Sequence, residues 1–245
     1  MAKIPKNPEE IFSEFTADMK KAFGEDLQSI ILYGSGARGD YRPGKSDINF
    51  LIVLSEEGID TFNRASGPLR RWRKRMVATP LFMTETFICT SLDAYPVEFL
   101  NMQKSYVLVC GDDVLKELSF DPVALRLQCE RELCGKLLLL RTAFLETEGK
   151  ADRIRNLIRE SITAFLSLFQ ALLHLQGSGL HGNRREIISA MAEAYHLNRE
   201  VFIQCLDVKE EKESLSSGEL KALFEKYANE IKKLWEIVDK MELCR

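Results

Sequence analysis

The residues with the clearest chemical potential lie between Leu32 and Leu54, in the stretch LYGSGARGDYRPGKSDINFLIVL. Asp47 and Asn49 flank Ile48 at the start of an apolar, β-branched run. Side chains alternate across a strand, so Asp47 and Asn49 would share one face while Ile48 and Phe50 take the other. Two polar side chains side by side at a strand's start suggest a metal site. Ahead of them, a short apolar run ends at Tyr33 and turns on Gly34 and Ser35. Such a turn presents backbone N–H groups of the kind that hold phosphate oxygens. Arg38, Arg42 and Lys45 in the intervening loop are candidate counter-charges for a phosphate chain.

Taken together, these residues resemble the nucleotidyltransferase signature of the DNA polymerase beta superfamily: hydrophobic-Gly-Ser, a spacer, then Asp-hydrophobic-Asp or Glu. Tyr33-Gly34-Ser35 and Asp47-Ile48 fit that pattern, and Asn49 departs from it. Members of that family use both carboxylates of the pair, with a third acid from a later strand, to hold two Mg²⁺ ions around the phosphates of an NTP. The resemblance therefore implies Asp47, Asn49 and Glu98 as the catalytic positions, with Asp47 and Glu98 as the Mg²⁺ ligands. It implies Gly34, Ser35, Arg38, Lys45 and Ser46 as the contacts of an NTP, expected to be ATP. The implied reaction is Mg²⁺-dependent transfer of a nucleoside monophosphate to a hydroxyl of a small-molecule acceptor, releasing pyrophosphate. Asn49 supports a second reading, a degenerate nucleotidyltransferase fold that binds nucleotide as a regulatory or interaction module with little catalysis.

Glu98 enters through its setting, Tyr95-Pro96-Val97-Glu98-Phe99-Leu100, which reads as an apolar strand carrying one acid. An unpaired buried carboxylate is costly, so Glu98 must reach solvent or find a positive partner. The resemblance places the third metal ligand there; an exposed strand face is the bland alternative.

A rival pattern overlaps the same loop, since Gly39-Asp40-Tyr41-Arg42-Pro43-Gly44-Lys45-Ser46 matches G-x-x-x-x-G-K-[ST]. In a phosphate-binding P-loop the Lys and Ser open a helix. Here Ser46 leads into Asp-Ile-Asn-Phe-Leu-Ile-Val-Leu, which reads as a strand, so context argues against it.

The elements that must position these residues follow from composition and period. The 245 residues are 45% hydrophobic and 29% charged with a net charge of −3, an ordinary globular profile with no global basic signature. A small molecule suits that charge better than a nucleic acid. The N-terminal residues lack an apolar signal core and no apolar segment reaches bilayer length, so no membrane role and a cytoplasmic location are expected. Six cysteines contain no C-x-x-C pair and form no ligand spacing with His174, His181 and His196, which indicates neither zinc nor a disulfide framework.

Asn7-Pro8-Glu9-Glu10 predicts a helix start, and Ile11, Phe12, Phe15, Met19 and Phe23 form its apolar stripe up to Gly24. Strands are predicted over 28–33, 47–54, 80–83 and 106–110. A helix over 57–75, interrupted near Gly67-Pro68, ends in Arg70-Arg71-Trp72-Arg73-Lys74-Arg75. That run is either a solvated face or a basic wall for an anion, and Trp72 either stacks on a base or packs inward. Asp121-Pro122 predicts a second helix start and a boundary, with a nucleotidyltransferase domain over 1–120 and an all-α bundle over 121–245. The bundle shows apolar stripes along 129–144, 154–173 and 220–241, with a capping box at Ser216 and Glu219 and a charged loop over 207–214. The resemblance extends to antibiotic-modifying nucleotidyltransferases, in which such a bundle lines the acceptor pocket; Glu130 and Glu132 could then supply a base or simply be helix-surface charge. The fold class expected is α+β, a mixed-sheet domain followed by the bundle.

Overall fold

The structure, a computed structural model, describes residues 3–178, 183–212 and 215–242. Gly179, His181, the end of the charged loop at Ser214, and Cys244 lie outside the described residues. The chain divides into two compact units, Met1–Leu92 with Met102–Ser119, and Asp93–Asn101 with Phe120–Arg245. Residues 93–101, which the expected division leaves in the first domain, cluster with the second unit.

The first unit opens with a 3-10 turn over Pro8–Ile11 that runs into α1 (Phe12–Phe23). Proline's fixed φ suits that entry. Phe15, Met19 and Phe23 bury one stripe of α1, and Gly24, at φ 59, stops the helix in a conformation that other residues resist. Four strands follow, β1 (Leu27–Tyr33), β2 (Asn49–Leu54), β3 (Leu81–Met83) and β4 (Tyr106–Gly111). They form one mixed sheet in the order β3-β2-β1-β4, with β1 antiparallel to β2 and β4, and β2 parallel to β3. Ile48, Phe50, Ile52 and Leu54 bury the face that α1 covers, where Phe15 stacks on Phe50 at 4.3 Å between ring centroids.

Between β2 and β3 the chain forms a 3-10 stretch over Ile59–Ala65, α2 (Ser66–Trp72) and a 3-10 turn over Arg73–Arg75. Gly67-Pro68 does not interrupt this segment; it lies in the first turn of α2, where the missing proline N–H costs no helical hydrogen bond. Trp72 packs inward at 2% exposure, with its indole N–H donating to Asp18 at 2.9 Å. A short helix α3 (Glu85–Thr90) is capped by Thr84, whose hydroxyl accepts from the Phe87 N–H.

The expected strand at 95–100 is a helix, α4 (Pro96–Lys104), whose residues up to Asn101 cluster with the second unit. A short, mostly apolar stretch does not by itself distinguish strand from helix. Two local features decide it here: Pro96 occupies the first helical position and Glu98 falls in the first turn, where an acid complements the exposed N–H groups. Buried Gln128 adds a third, accepting from the Val97 N–H at 2.9 Å. The bundle comprises α5 (Pro122–Glu146), α6 (Ala151–Leu175), α7 (Arg184–Ala194), α8 (Arg199–Lys209) and α9 (Ser217–Asp239). Helix α6 packs against the other four, burying Ile158, Ile162, Phe165 and Phe169. The capping box at Ser216 and Glu219 is formed on both sides. Helix α8 outruns the expected loop at 207 because Val208 is buried and Arg185 on α7 pairs with both Asp207 and Glu210. Among the described residues no helix is long and apolar enough to cross a membrane.

Candidate functional site

The β1–β2 hairpin builds the site. Tyr33 pairs with Asn49 at its mouth, so the turn that leaves β1 begins beside the residue that opens β2. Gly34 has φ +76, and a Cβ placed on it would lie 3.2 Å from Asn49 Nδ2. Glycine thus serves twice, by adopting the left-handed backbone and by leaving room for the Asn49 side chain. The turn closes through the Arg38 N–H to the Gly34 carbonyl at 3.1 Å and the Asp40 N–H to the Ser35 carbonyl at 3.0 Å. The N–H groups of Ser35, Gly36 and Ala37 donate to no acceptor among the described residues. Consecutive backbone N–H groups of this kind are donors suited to anionic oxygens. Gly36 was not singled out from the sequence, although the second glycine of Gly-Ser-Gly is a visible signal. A Cβ there would crowd Leu32 and Pro8 at 3.2 and 3.3 Å.

Asp47 is exposed just ahead of β2, while Ile48 and Phe50 are fully buried, as side-chain alternation requires. The Asn49 amide donates to the Asp47 carbonyl at 3.4 Å. Tyr41 feels this acid: its phenol is raised by burial first, then by Glu10 and Asp47. Ser46 is committed to the loop itself, its hydroxyl accepting from the Arg42 N–H at 3.1 Å. Lys45 is exposed, and Arg38 lies 3.9 Å from Asp40. No helix follows Ser46; Ile48 already bridges to Val77 and β2 begins at Asn49, so the P-loop arrangement is absent from this loop.

The structure therefore brings Gly34, Asp47 and Asn49 to one end of the hairpin but leaves Glu98 out of the sheet. Glu98 belongs to the other compact unit, on the first turn of α4, where it accepts from Gln128 Nε2 at 2.8 Å. No Asp or Glu occurs in any of the four strands. The strand beside β2, including its lead-in from Val77, reads Val-Ala-Thr-Pro-Leu-Phe-Met. In the second unit, Glu130 pairs with Arg126 at 2.7 Å and Glu132 with Lys136 at 3.0 Å, each one turn away on α5.

Residues 13–89 match the family model described as a nucleotidyltransferase domain. Over that span the chain is similar to a nucleotidyltransferase domain. The fold extends beyond the match. The crystal structure of spectinomycin adenyltransferase AAD(9) from Enterococcus faecialis, solved with ATP and spectinomycin, superposes over 92% of this chain and 100% of its own, with a TM-score of 0.55 at 13% identity. At that identity the likeness shows the fold alone, a mixed-sheet domain with a helical C-terminal part. A search of curated protein sequences finds no match.

The hairpin can be tested for the two Mg²⁺ ions that the sequence resemblance implies. Hard cations favour carboxylate oxygens, and a two-ion site needs several. Asp47 offers a carboxylate beside Asn49, Asn49 offers a neutral amide oxygen, and the neighbouring strand β3 carries no acid. Among the described residues no group of three His, Cys, Asp or Glu side chains could hold a metal ion. The donor set does not fit a two-metal centre.

Proposed function

We propose that the hairpin over 34–49 is an NTP site of the nucleotidyltransferase type. In this reading the family's reaction, transfer of a nucleoside monophosphate to a small-molecule hydroxyl, is slow because a single carboxylate remains. The observation that carries the proposal is the row of unused N–H groups at Ser35, Gly36 and Ala37 beside Asp47. The β and γ phosphates would lie against those donors, with Arg38, Arg42 and Lys45 as nearby positive charge. Magnesium would arrive with the nucleotide. ATP is the favoured nucleotide, because the structurally similar adenyltransferase was solved with ATP.

The second reading, a nucleotide-binding regulatory or interaction module, is favoured by Asn49 and by the absence of an acid from the strand beside β2. Calorimetric titration with each of the four Mg-NTPs, followed by a labelled-NTP assay for pyrophosphate release against a panel of hydroxylated small molecules, separates the two. Binding with slow, acceptor-stimulated pyrophosphate release supports the enzyme. Binding with no release under any acceptor supports the module, and no binding of any NTP overturns both.

A further inference from the structure

A second site is built on the far edge of the same unit, from the segment that links β2 to β3. The basic run 70–75 splits by helical face. Arg71 and Arg75 turn toward α1, pairing with Asp18 at 3.0 Å and Glu14 at 2.5 Å, and the Arg75 guanidinium lies 4.7 Å from the centre of the Trp72 ring. That half is structural. Arg70 and Arg73 share another face with Ser66 and Leu69, at the i, i+3, i+4 and i+7 spacing of one helical stripe. Neither makes an ion pair among the described residues. This stripe lines a cavity of about 720 Å³ between α2, the preceding 3-10 stretch and the edge of β3. Its volume falls within the range typical of small-molecule pockets.

The walls state what would fit. Phe62 is 55% exposed, so its ring is open to a ligand in the cavity that it lines. It stands 6.3 Å from Phe82 at an interplanar angle of 46°, so the two rings do not close on each other as a stacked pair. Leu69 and Pro80 supply apolar floor, and Arg70 and Arg73 supply two forked donors suited to a phosphate, sulfonate or carboxylate. Arg73 is already positioned by a 3.0 Å bond to Thr79. Asp60, also in the wall, is an acceptor for a ligand hydroxyl or amine.

We propose that this cavity binds a small aromatic anion, its acidic group held by Arg70 and Arg73 and its ring against Phe62 and Phe82. No residue of the 34–49 hairpin lines the cavity, so this site stands or falls separately from the NTP site. Two fluorescent probes of one skeleton test it: 1-anilinonaphthalene-8-sulfonate, an aromatic anion, and N-phenyl-1-naphthylamine, its neutral counterpart. The sulfonate should bind the full chain saturably. Arg70→Glu, which leaves the Arg73–Thr79 bond alone, should raise its dissociation constant about tenfold or more, as loss of a charge-assisted bond does. The same variant should leave the neutral probe within about twofold, and Phe62→Ala should weaken both. Near-ultraviolet circular dichroism of each variant checks that the fold is retained. Equal affinity of wild type and Arg70→Glu for the sulfonate, or no saturable binding at all, would overturn the proposal.

Discussion

Replacing Gly34 tests the geometry on which the NTP site rests. At φ +76 a residue with a Cβ costs about 1–2 kcal/mol relative to glycine. The added atom also meets Asn49 Nδ2 at 3.2 Å, a contact that the amide can relieve by giving up its long 3.4 Å bond to the Asp47 carbonyl. Gly34→Ala should therefore destabilise the first unit by about 1–2 kcal/mol, and the bulkier Gly34→Val by about 2–3 kcal/mol. A domain of ordinary stability survives either change. Binding should suffer more than folding, because a shifted turn misaims the N–H groups of Ser35, Gly36 and Ala37. Mg-ATP affinity should fall at least about tenfold in Gly34→Val. Urea denaturation followed by circular dichroism gives the first quantity and calorimetry the second. The double variant Gly34→Ala/Asn49→Gly should recover the part due to the side-chain contact and not the part due to φ. If Gly34→Ala were neutral in stability and in ATP affinity, the left-handed turn would not be what holds the site.

Other perturbations follow from the same contacts. Asp18→Ala removes the acceptor of the buried Trp72 indole N–H and the partner of Arg71, and should cost about 1–3 kcal/mol by urea denaturation with a shift in Trp72 emission; an unchanged midpoint would refute the bond's importance. Burial above all, with Glu132 and Glu98 adding, pushes the Cys129 thiol up to about 12, and burial raises Cys205 as well, so both stay protonated at pH 8. Under native conditions a thiol-disulfide reagent should label exposed Cys89 first and leave Cys129 and Cys205 unreacted until urea is added; prompt native labelling of Cys129 would contradict its packing. Lys45→Ala should change ATP affinity by less than about threefold, because an exposed charge contributes little; complete loss would revive a P-loop role for that lysine.

The sheet and the bundle were legible because their signals are local. Pro8, Asp121 and Ser216 each mark a helix start through chemistry that acts within one turn, and the stripes on α1, α6 and α9 match the buried faces. The segment around Glu98 misled because its four apolar neighbours satisfy either period. Pro96 and Glu98 fit a first helical turn, and Gln128, thirty-one positions from Val97, secures it by linking the Val97 N–H and the Glu98 carboxylate. The split of the basic run into a face tied to Asp18 and Glu14 and a face left open was equally invisible, since both acids lie on α1, far back in the sequence. The motif at 34–49 located the hairpin, but the closeness of Gly34 and Asn49 required the pairing of Tyr33 with Asn49.

The central claim is that Asn49 limits catalysis by removing a carboxylate from the mouth of the hairpin. Asn49→Asp is nearly isosteric and places a second anionic group on the face that Asp47 occupies. The decisive measurement is a Mn²⁺ titration at saturating ATP, read by electron paramagnetic resonance, on wild type and Asn49→Asp, with pyrophosphate release followed in the same samples. The account predicts one tightly held ion with slow or absent release for wild type, and a second ion with faster release for Asn49→Asp. Two tightly held ions and rapid turnover in wild type, lost on Asn49→Asp, would show that the amide is a working part of a different centre and would contradict the account.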